Sequence, residues 1–209
     1  MKDFFLVKYA SEIIQHTLEH LFLVGIAIGI AILVGIPLGI LITRQTYLRQ
    51  PIIGIANVLQ TIPSLALFGL LIPIAGIGVL PAIMALTLYS FLPIILNTYT
   101  GITGVDPAIR EAGIGMGMTD RQLLLQVEIP LAMGVILGGI RVATVIAVGV
   151  ATIAAAIGAG GLGVFIFRGI SLVNSELILA GALPAAVIAL MADFIIGWIE
   201  NKLKIGIGE

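Results

Sequence analysis

The sequence has no cysteine among its 209 residues. Disulfides, thiolate metal sites and a cysteine nucleophile are therefore excluded. Charge is nearly as scarce. Asp, Glu, Lys and Arg make up 10% of the chain, against about 25% in a soluble domain. So few charges cannot keep a globular surface wet, which excludes an ordinary cytosolic enzyme. The net charge of −1 offers no basic surface, so no nucleic-acid partner is expected. Aromatic residues are also few, at 6%. A phosphate-cradling Gly-x-x-x-x-Gly-Lys-Ser/Thr loop is missing. The chain is thus not expected to bind a cofactor or hydrolyse ATP itself.

What remains is apolar. Hydrophobic residues make up 60% of the chain, and the mean hydropathy is +1.22. Charge-free stretches run over residues 20–43, 50–105 and 142–167. A helix needs about 20 apolar residues to cross the hydrocarbon core. The middle stretch therefore holds two helices, with Pro73, Gly76, Gly78 and Pro81 marking the turn. Spans are expected near 20–42, 53–73, 80–100, 132–156 and 178–200. The strict alternation of a membrane β-strand is not present. The fold class is all-α integral membrane, with about five transmembrane helices.

Residues 1–19 mix Phe4, Phe5, Leu6, Ile13, Ile14 and Leu18 with Lys2, Asp3, Lys8, Glu12 and Glu19. They read as an amphipathic interfacial helix rather than a cleavable signal peptide. Residues 20–200 then form the transmembrane domain, and 201–209 a cytoplasmic tail. Lys and Arg set the orientation. With the N-terminus outside, the inner loops hold Arg44, Arg49, Arg110, Arg121, Lys202 and Lys204, and the outer side Lys2, Lys8 and Arg168. The larger inner set favours an outer N-terminus and a cytoplasmic C-terminus.

The long polar loop, 101–130, lies on the cytoplasmic side in that orientation. Asp106-Pro107 is a helix start, with Asp as N-cap and Pro at the first helical position. The helix carries Arg110 and Glu111 and ends in Gly113-Ile114-Gly115-Met116-Gly117. Thr119 and Gln122 match a capping box that restarts a helix. Pro130 ends it or kinks it into the next span. A short helix held between two breaks suits docking.

These residues resemble the EAA loop of ABC importer permeases. Glu111-Ala112-Gly113, three residues, Gly117, nine residues and Val127-Glu128-Ile129-Pro130 follow the family spacing. Gly113 replaces an Ala of that pattern, which loosens the helix by up to about 1 kcal/mol. Asn57 to Ala66, Leu92-Pro93-Ile94, Asn97 to Gly101 and Ile157 to Gly163 are similar to the osmoprotectant branch. Its members import glycine betaine, carnitine, choline and related quaternary ammonium compounds.

The resemblance implies a type I importer permease in a bacterial-type cytoplasmic (inner) membrane. A second permease subunit, identical or paralogous, packs alongside. Two cytoplasmic ATPase subunits carry ATP and Mg, and an extracellular binding protein delivers substrate. Glu111, Ala112, Gly113, Gly117, Met118 and Thr119 would form the ATPase-coupling site, with Glu111 fixing the loop through its own hydrogen bonds. Gly158, Gly160, Gly161 and Gly163 would lie near the external gate as a flexible turn. Phe165-Ile166-Phe167 would anchor at the interface.

Other residues carry two readings. Gln60, Thr61 and Asn97 are polar at membrane depth. They either bond between helices or line a hydrated pathway. Tyr89, Phe91 and Tyr99 either pack or offer faces to a quaternary ammonium. So few aromatics suggest that the binding protein does the selecting. Arg141 lies 11 residues past Pro130, roughly 16 Å up a helix. Asp193 lies 9 residues before Lys202, roughly 14 Å by the same rise. They form an ion pair or take part in the pathway. Gly25, Gly29, Gly35 and Gly39, with Gly134 and Gly138, allow close helix contact. His16 and His20 have metal-compatible i, i+4 spacing. They read instead as an ordinary interfacial face, and no metal site is expected. The alternatives in function are a permease for another small solute such as an amino acid, a secondary transporter and a membrane-embedded enzyme. The absence of a visible inverted repeat counts against the secondary transporter.

Overall fold

A computed structural model of the chain describes residues 9–205. Every regular element among them is helical. In chain order these are α1 (Ala10–Arg44), α2 (Thr46–Thr61), α3 (Ser64–Ala75), α4 (Val79–Thr103), α5 (Pro107–Gly115) and α6 (Asp120–Leu123). A π-helical turn (Leu124–Glu128), α7 (Ile129–Ala154), a 3-10 turn (Ala155–Ile157), α8 (Gly163–Ser171) and α9 (Ser175–Ile205) complete the chain. α1, α4, α7 with its run-in from Asp120, and α9 are each long and apolar enough to cross a membrane. The bent pair α2–α3 makes the fifth candidate span.

Two expectations change here. The helix expected over 1–19 is not a separate element where it is described. From Ala10 the chain runs without a break to Arg44, about 52 Å at the α-helical rise. Met1 to Lys8 lie outside the described residues. The cause is local: no proline or glycine lies between Ala10 and Val24, so nothing stops the helix. The span expected at 53–73 is broken. α2 and α3 meet at 103°. Ile62 precedes Pro63 and is extended, with φ −67° and ψ 128°. Proline disfavours the helical region for the residue before it.

α4 sits at the centre, packed against α1 on one side and α7 on another. Glycine makes those seams close. A Cβ on Gly39 would lie 2.5 Å from the Thr98 Cβ. One on Gly139 would lie 2.6 Å from the Asn97 Cβ. Gly35 faces Ile94 in the same way, but Gly25, Gly29 and Gly138 have nothing within 4 Å. The small-residue pattern is therefore used within the subunit at Gly35 and Gly39. Alanines fill the rest of the seam, with Ala27, Ala31, Ala85, Ala143 and Ala147 fully buried. α9 packs mainly on α7 and α8. Only 17% of its most apolar window is buried, against 56% for α4, which makes it the most exposed of the four unbroken spans.

Candidate functional site

The loop after α4 is built from local hydrogen bonds. The Asp106 side chain accepts from the Ala108 N–H at 2.9 Å, and Pro107 occupies the first turn of α5. At the other end, the Gly117 N–H donates to the Ile114 carbonyl and the Met118 N–H to the Gly113 carbonyl. That pair of bonds is a Schellman motif, which needs a left-handed residue after the cap. Gly117 supplies it with φ +81°. Thr119 and Gln122 then form a reciprocal capping box. The loop is thus two capped helical pieces joined by one glycine. Glu111 and Ala112 are exposed. So are Ile109 at 44%, Ile114 at 60% and Met116 at 75%. Gly113 is buried against Leu123 and Met118.

The Glu111 side chain, exposed on α5, makes no hydrogen bond or ion pair to another described residue, so it does not fix the loop among them. Arg110, Glu128 and Arg44 do. Glu128 has no exposed surface. Its carboxylate pairs with the Arg44 Nη2 at the end of α1 and lies 3.3 Å from the Arg110 Nε in α5. Arg110 also donates through Nη2 to the Ile102 carbonyl near the end of α4. Glu128 sits at the unspecified position of the motif, where the spacing alone does not mark it. A lone carboxylate in Leu-Leu-Leu-Gln-Val-Glu-Ile-Pro was the available signal.

The expected pathway residues separate. Gln60 and Tyr89 hold the α2–α3 break. Pro93 removes a helical donor and frees the Tyr89 carbonyl. The Gln60 Nε2 reaches that carbonyl at 3.5 Å, and the Tyr89 hydroxyl donates to the Ile62 carbonyl. Tyr89 is 5% exposed. Asn97 donates to the Pro93 carbonyl at 2.8 Å while its Cβ packs over Gly139. Thr61 is exposed and bonds back to Val58. Tyr99 carries the Arg49 guanidinium 4.6 Å above its ring. Phe91 is half-buried against the main core.

The glycine turn after α7 is pinned rather than loose. Gly158, Gly160 and Gly161 all have positive φ. The Gly161 N–H donates to the Glu19 carboxylate at 2.9 Å, and His16 Nδ1 meets the same carboxylate at 2.8 Å. The Gly78 N–H donates to the Ile157 carbonyl. A Cβ on Gly163 would lie 1.8 Å from the Thr152 carbonyl oxygen. His20 is fully buried beside the turn, with Nε2 3.2 Å from the Val148 carbonyl. The two histidines therefore do different work. Phe165 is not an interfacial anchor. It is 1% exposed and packs edge-on to Tyr9 and His16. It opens α8, a short amphipathic helix whose buried face was not legible from three apolar residues.

Arg141 and Asp193 form a two-pronged pair, with Nε–Oδ1 at 2.5 Å and Nη2–Oδ2 at 2.7 Å. The guanidinium lies over Gly197, where a Cβ would approach Nη1 to 3.0 Å. The pair joins α7 to α9 and borders an open cleft of about 490 Å³. Its side chains are 37% and 40% exposed. Arg141 lies 13 residues beyond Glu128, about 20 Å along the helix. Charges at such depth face protein or a water-filled cavity, not lipid tails.

The arrangement is an all-helical membrane body with a capped, partly apolar loop at one end and a pinned turn at the other. Residues 35–205 match the model of the binding-protein-dependent transport system inner membrane component family. The chain belongs to that family. The osmoprotectant import permease protein OsmW of Salmonella typhimurium is 47% identical over 206 residues, covering 96% of this chain and 94% of that one. The carnitine transport permease protein OpuCB of Listeria monocytogenes is 45% identical, covering 95% and 91%. A glycine betaine/carnitine/choline transport system permease protein of Bacillus subtilis, also named OpuCB, is 44% identical, covering 95% and 92%. Among solved structures, an inward-facing MetNI methionine ABC transporter superposes with TM-score 0.83 at 21% identity, covering 91% of this chain and 95% of that one. An amino acid ABC transporter with histidines gives 0.77 at 23%, covering 97% and 99%. These two establish the fold. The chain is a multi-pass inner-membrane permease component of an ABC importer.

Proposed function

We propose that this permease moves a small quaternary ammonium osmolyte (glycine betaine, carnitine, choline or a similar solute) into the cell, driven by a separate ATPase. The observation that carries the reading is the similarity, over nearly the whole chain, to permeases named for osmoprotectant, carnitine and choline transport. The loop supports the coupling. Its capped helix presents Ile109, Ile114 and Met116 to solvent beside Glu111 and Ala112. An exposed apolar patch on a structured loop suits a protein partner. Two ATPase subunits holding ATP and Mg would dock there, on Glu111, Ala112, Gly113, Gly117, Met118 and Thr119.

A second permease, identical or paralogous, would complete the passage. The half-exposed Arg141–Asp193 face of α7 and α9 supports such a neighbour, because lipid does not cover it well. The broken span with Gln60 and Thr61 would border the route, with Tyr89, Phe91, Asn97 and Tyr99 shaping α4 behind it. An extracellular binding protein would deliver solute to the end bearing Gly158, Gly160, Gly161 and Gly163. Orientation follows the arginines. Arg44 and Arg110 meet at one end, which supports a cytoplasmic loop and C-terminus and an outer N-terminus.

The test is uptake of labelled glycine betaine into proteoliposomes containing the permease, its ATPase with ATP, and its binding protein. ATP-dependent uptake that Glu111→Lys abolishes is the expected result. Uptake driven by an ion gradient without ATP would refute the proposal.

A further inference from the structure

The coupling helix is held to the bundle more by charge than by packing. α5 packs mainly on α6 and the π turn, and Gly113 is the residue of α5 that is buried. Its covalent neighbours are soft. Gly104 precedes it, and Gly115 and Gly117 end it. Against this, Glu128 gathers three elements at one carboxylate. Arg44 ends α1, Arg110 belongs to α5, and Glu128 itself closes the π turn that leads into α7. Arg110 adds the end of α4 through the Ile102 carbonyl.

The range of the forces matters. Apolar contacts are short-ranged and forfeit up to about half of their attraction across a gap of about 1 Å. A charge pair weakens only with the inverse of distance. A joint made of charge keeps pulling while its members shift. The π turn fits such a joint, because π turns are rare overall yet frequent at functional sites. A buried ionic cluster is also a poor choice for stability alone, since an apolar filling often does as well.

We propose that Glu128 is a positioning residue. It transmits displacement of the coupling helix to the first and fourth spans, α1 and α7, through Arg44 and Arg110. This rests on the reading of residues 101–130 as the ATPase-coupling loop.

The test uses the whole transporter in proteoliposomes, with permease, ATPase and binding protein. Three quantities are measured: ATPase recovered with the permease, ATPase stimulation by loaded binding protein, and solute moved per ATP hydrolysed. Glu128→Gln keeps the size and one acceptor oxygen but removes the charge. It should still recover the ATPase, yet lose about tenfold in solute per ATP, within the usual range of coupling energies. Glu128→Asp should recover most of that loss. Arg44→Gln covers the case in which Glu128→Gln fails to insert. Arg44 is 40% exposed, and its loss leaves Glu128 beside Arg110. Solute per ATP should again fall. Wild-type solute per ATP in an inserted Glu128→Gln or Arg44→Gln protein would overturn the inference. So would parallel losses of abundance and uptake at an unchanged ratio, which mark a role in folding alone. A wild-type complex whose uptake ignores ATP would overturn the coupling reading itself, and this inference with it.

Discussion

The two ends of the helical body are tied by different physics. At the end bearing the glycine turn, the backbone itself is gripped at close range. The Gly161 N–H meets the Glu19 carboxylate, Gly78 bonds to Ile157, and Gly163 lies against Thr152 with no room for a methyl group. At the other end, Glu128 holds Arg44 and Arg110. Gly115 and Gly117 of the loop there have nothing within 4 Å of where a Cβ would go. Steric fit permits one arrangement and fails abruptly. Charge permits a family of arrangements and fails gradually. The first suits a seal, and the second a part that must move against a partner. The same substitution, glycine to alanine, therefore has different consequences at the two ends.

Gly163→Ala should have the largest effect. The new Cβ would lie 1.8 Å from the Thr152 carbonyl oxygen and 2.9 Å from the Ala155 Cβ. Neither neighbour is the tip of a flexible side chain, so backbone must move. Overpacking of this kind costs up to about 3 kcal/mol and occasionally more. The measurement is the amount of monodisperse permease recovered in detergent and its unfolding temperature. Near-wild-type recovery would show that the turn has slack, and the contrast between the ends would fall.

Much of this architecture was legible because hydropathy reports spans and capping chemistry reports helix starts. Asp106-Pro107 and Thr119 to Gln122 sit in the structure where their side-chain chemistry places them. The Arg141–Asp193 pair was legible from depth arithmetic, since α7 and α9 run side by side. The break at Ile62-Pro63 was written in the proline but outweighed by the apolar run around it. Glu128 was hidden because its partners lie 84 and 18 positions earlier, and no local pattern carries such distances. The role of Glu19 was hidden for the same reason, with Gly161 142 positions away. Phe165 looked like an anchor because burial depends on α8 folding back, which three apolar residues cannot announce.

Gly117→Ala should come next. Here space is free, and the conformation is the obstacle. A left-handed residue with a Cβ costs about 1–2 kcal/mol, and Gly117 has φ +81°. The loss falls on the Schellman turn that ends α5, not on the membrane spans. Unfolding temperature in detergent should barely change, while affinity for the ATPase should fall by up to about tenfold. Gly117→Asn should be milder, because asparagine tolerates this region better than alanine. Equal losses for both variants would point to the size of the side chain and not to φ.

Gly113→Ala should be the smallest of the three, although Gly113 is buried. The added Cβ would stand 2.8 Å from the Leu123 Cδ1 and 3.2 Å from the Met118 Sδ. Both are ends of flexible side chains that can turn aside. Against that strain, alanine in place of glycine within a helix gains up to about 1 kcal/mol. The two terms offset, and the net change should be smaller than about 1 kcal/mol. Coupled uptake and ATPase affinity should stay within about twofold of wild type. A loss as deep as that of Gly163→Ala would mean that the loop end is as tightly packed as the turn end, with charge no longer its main tie.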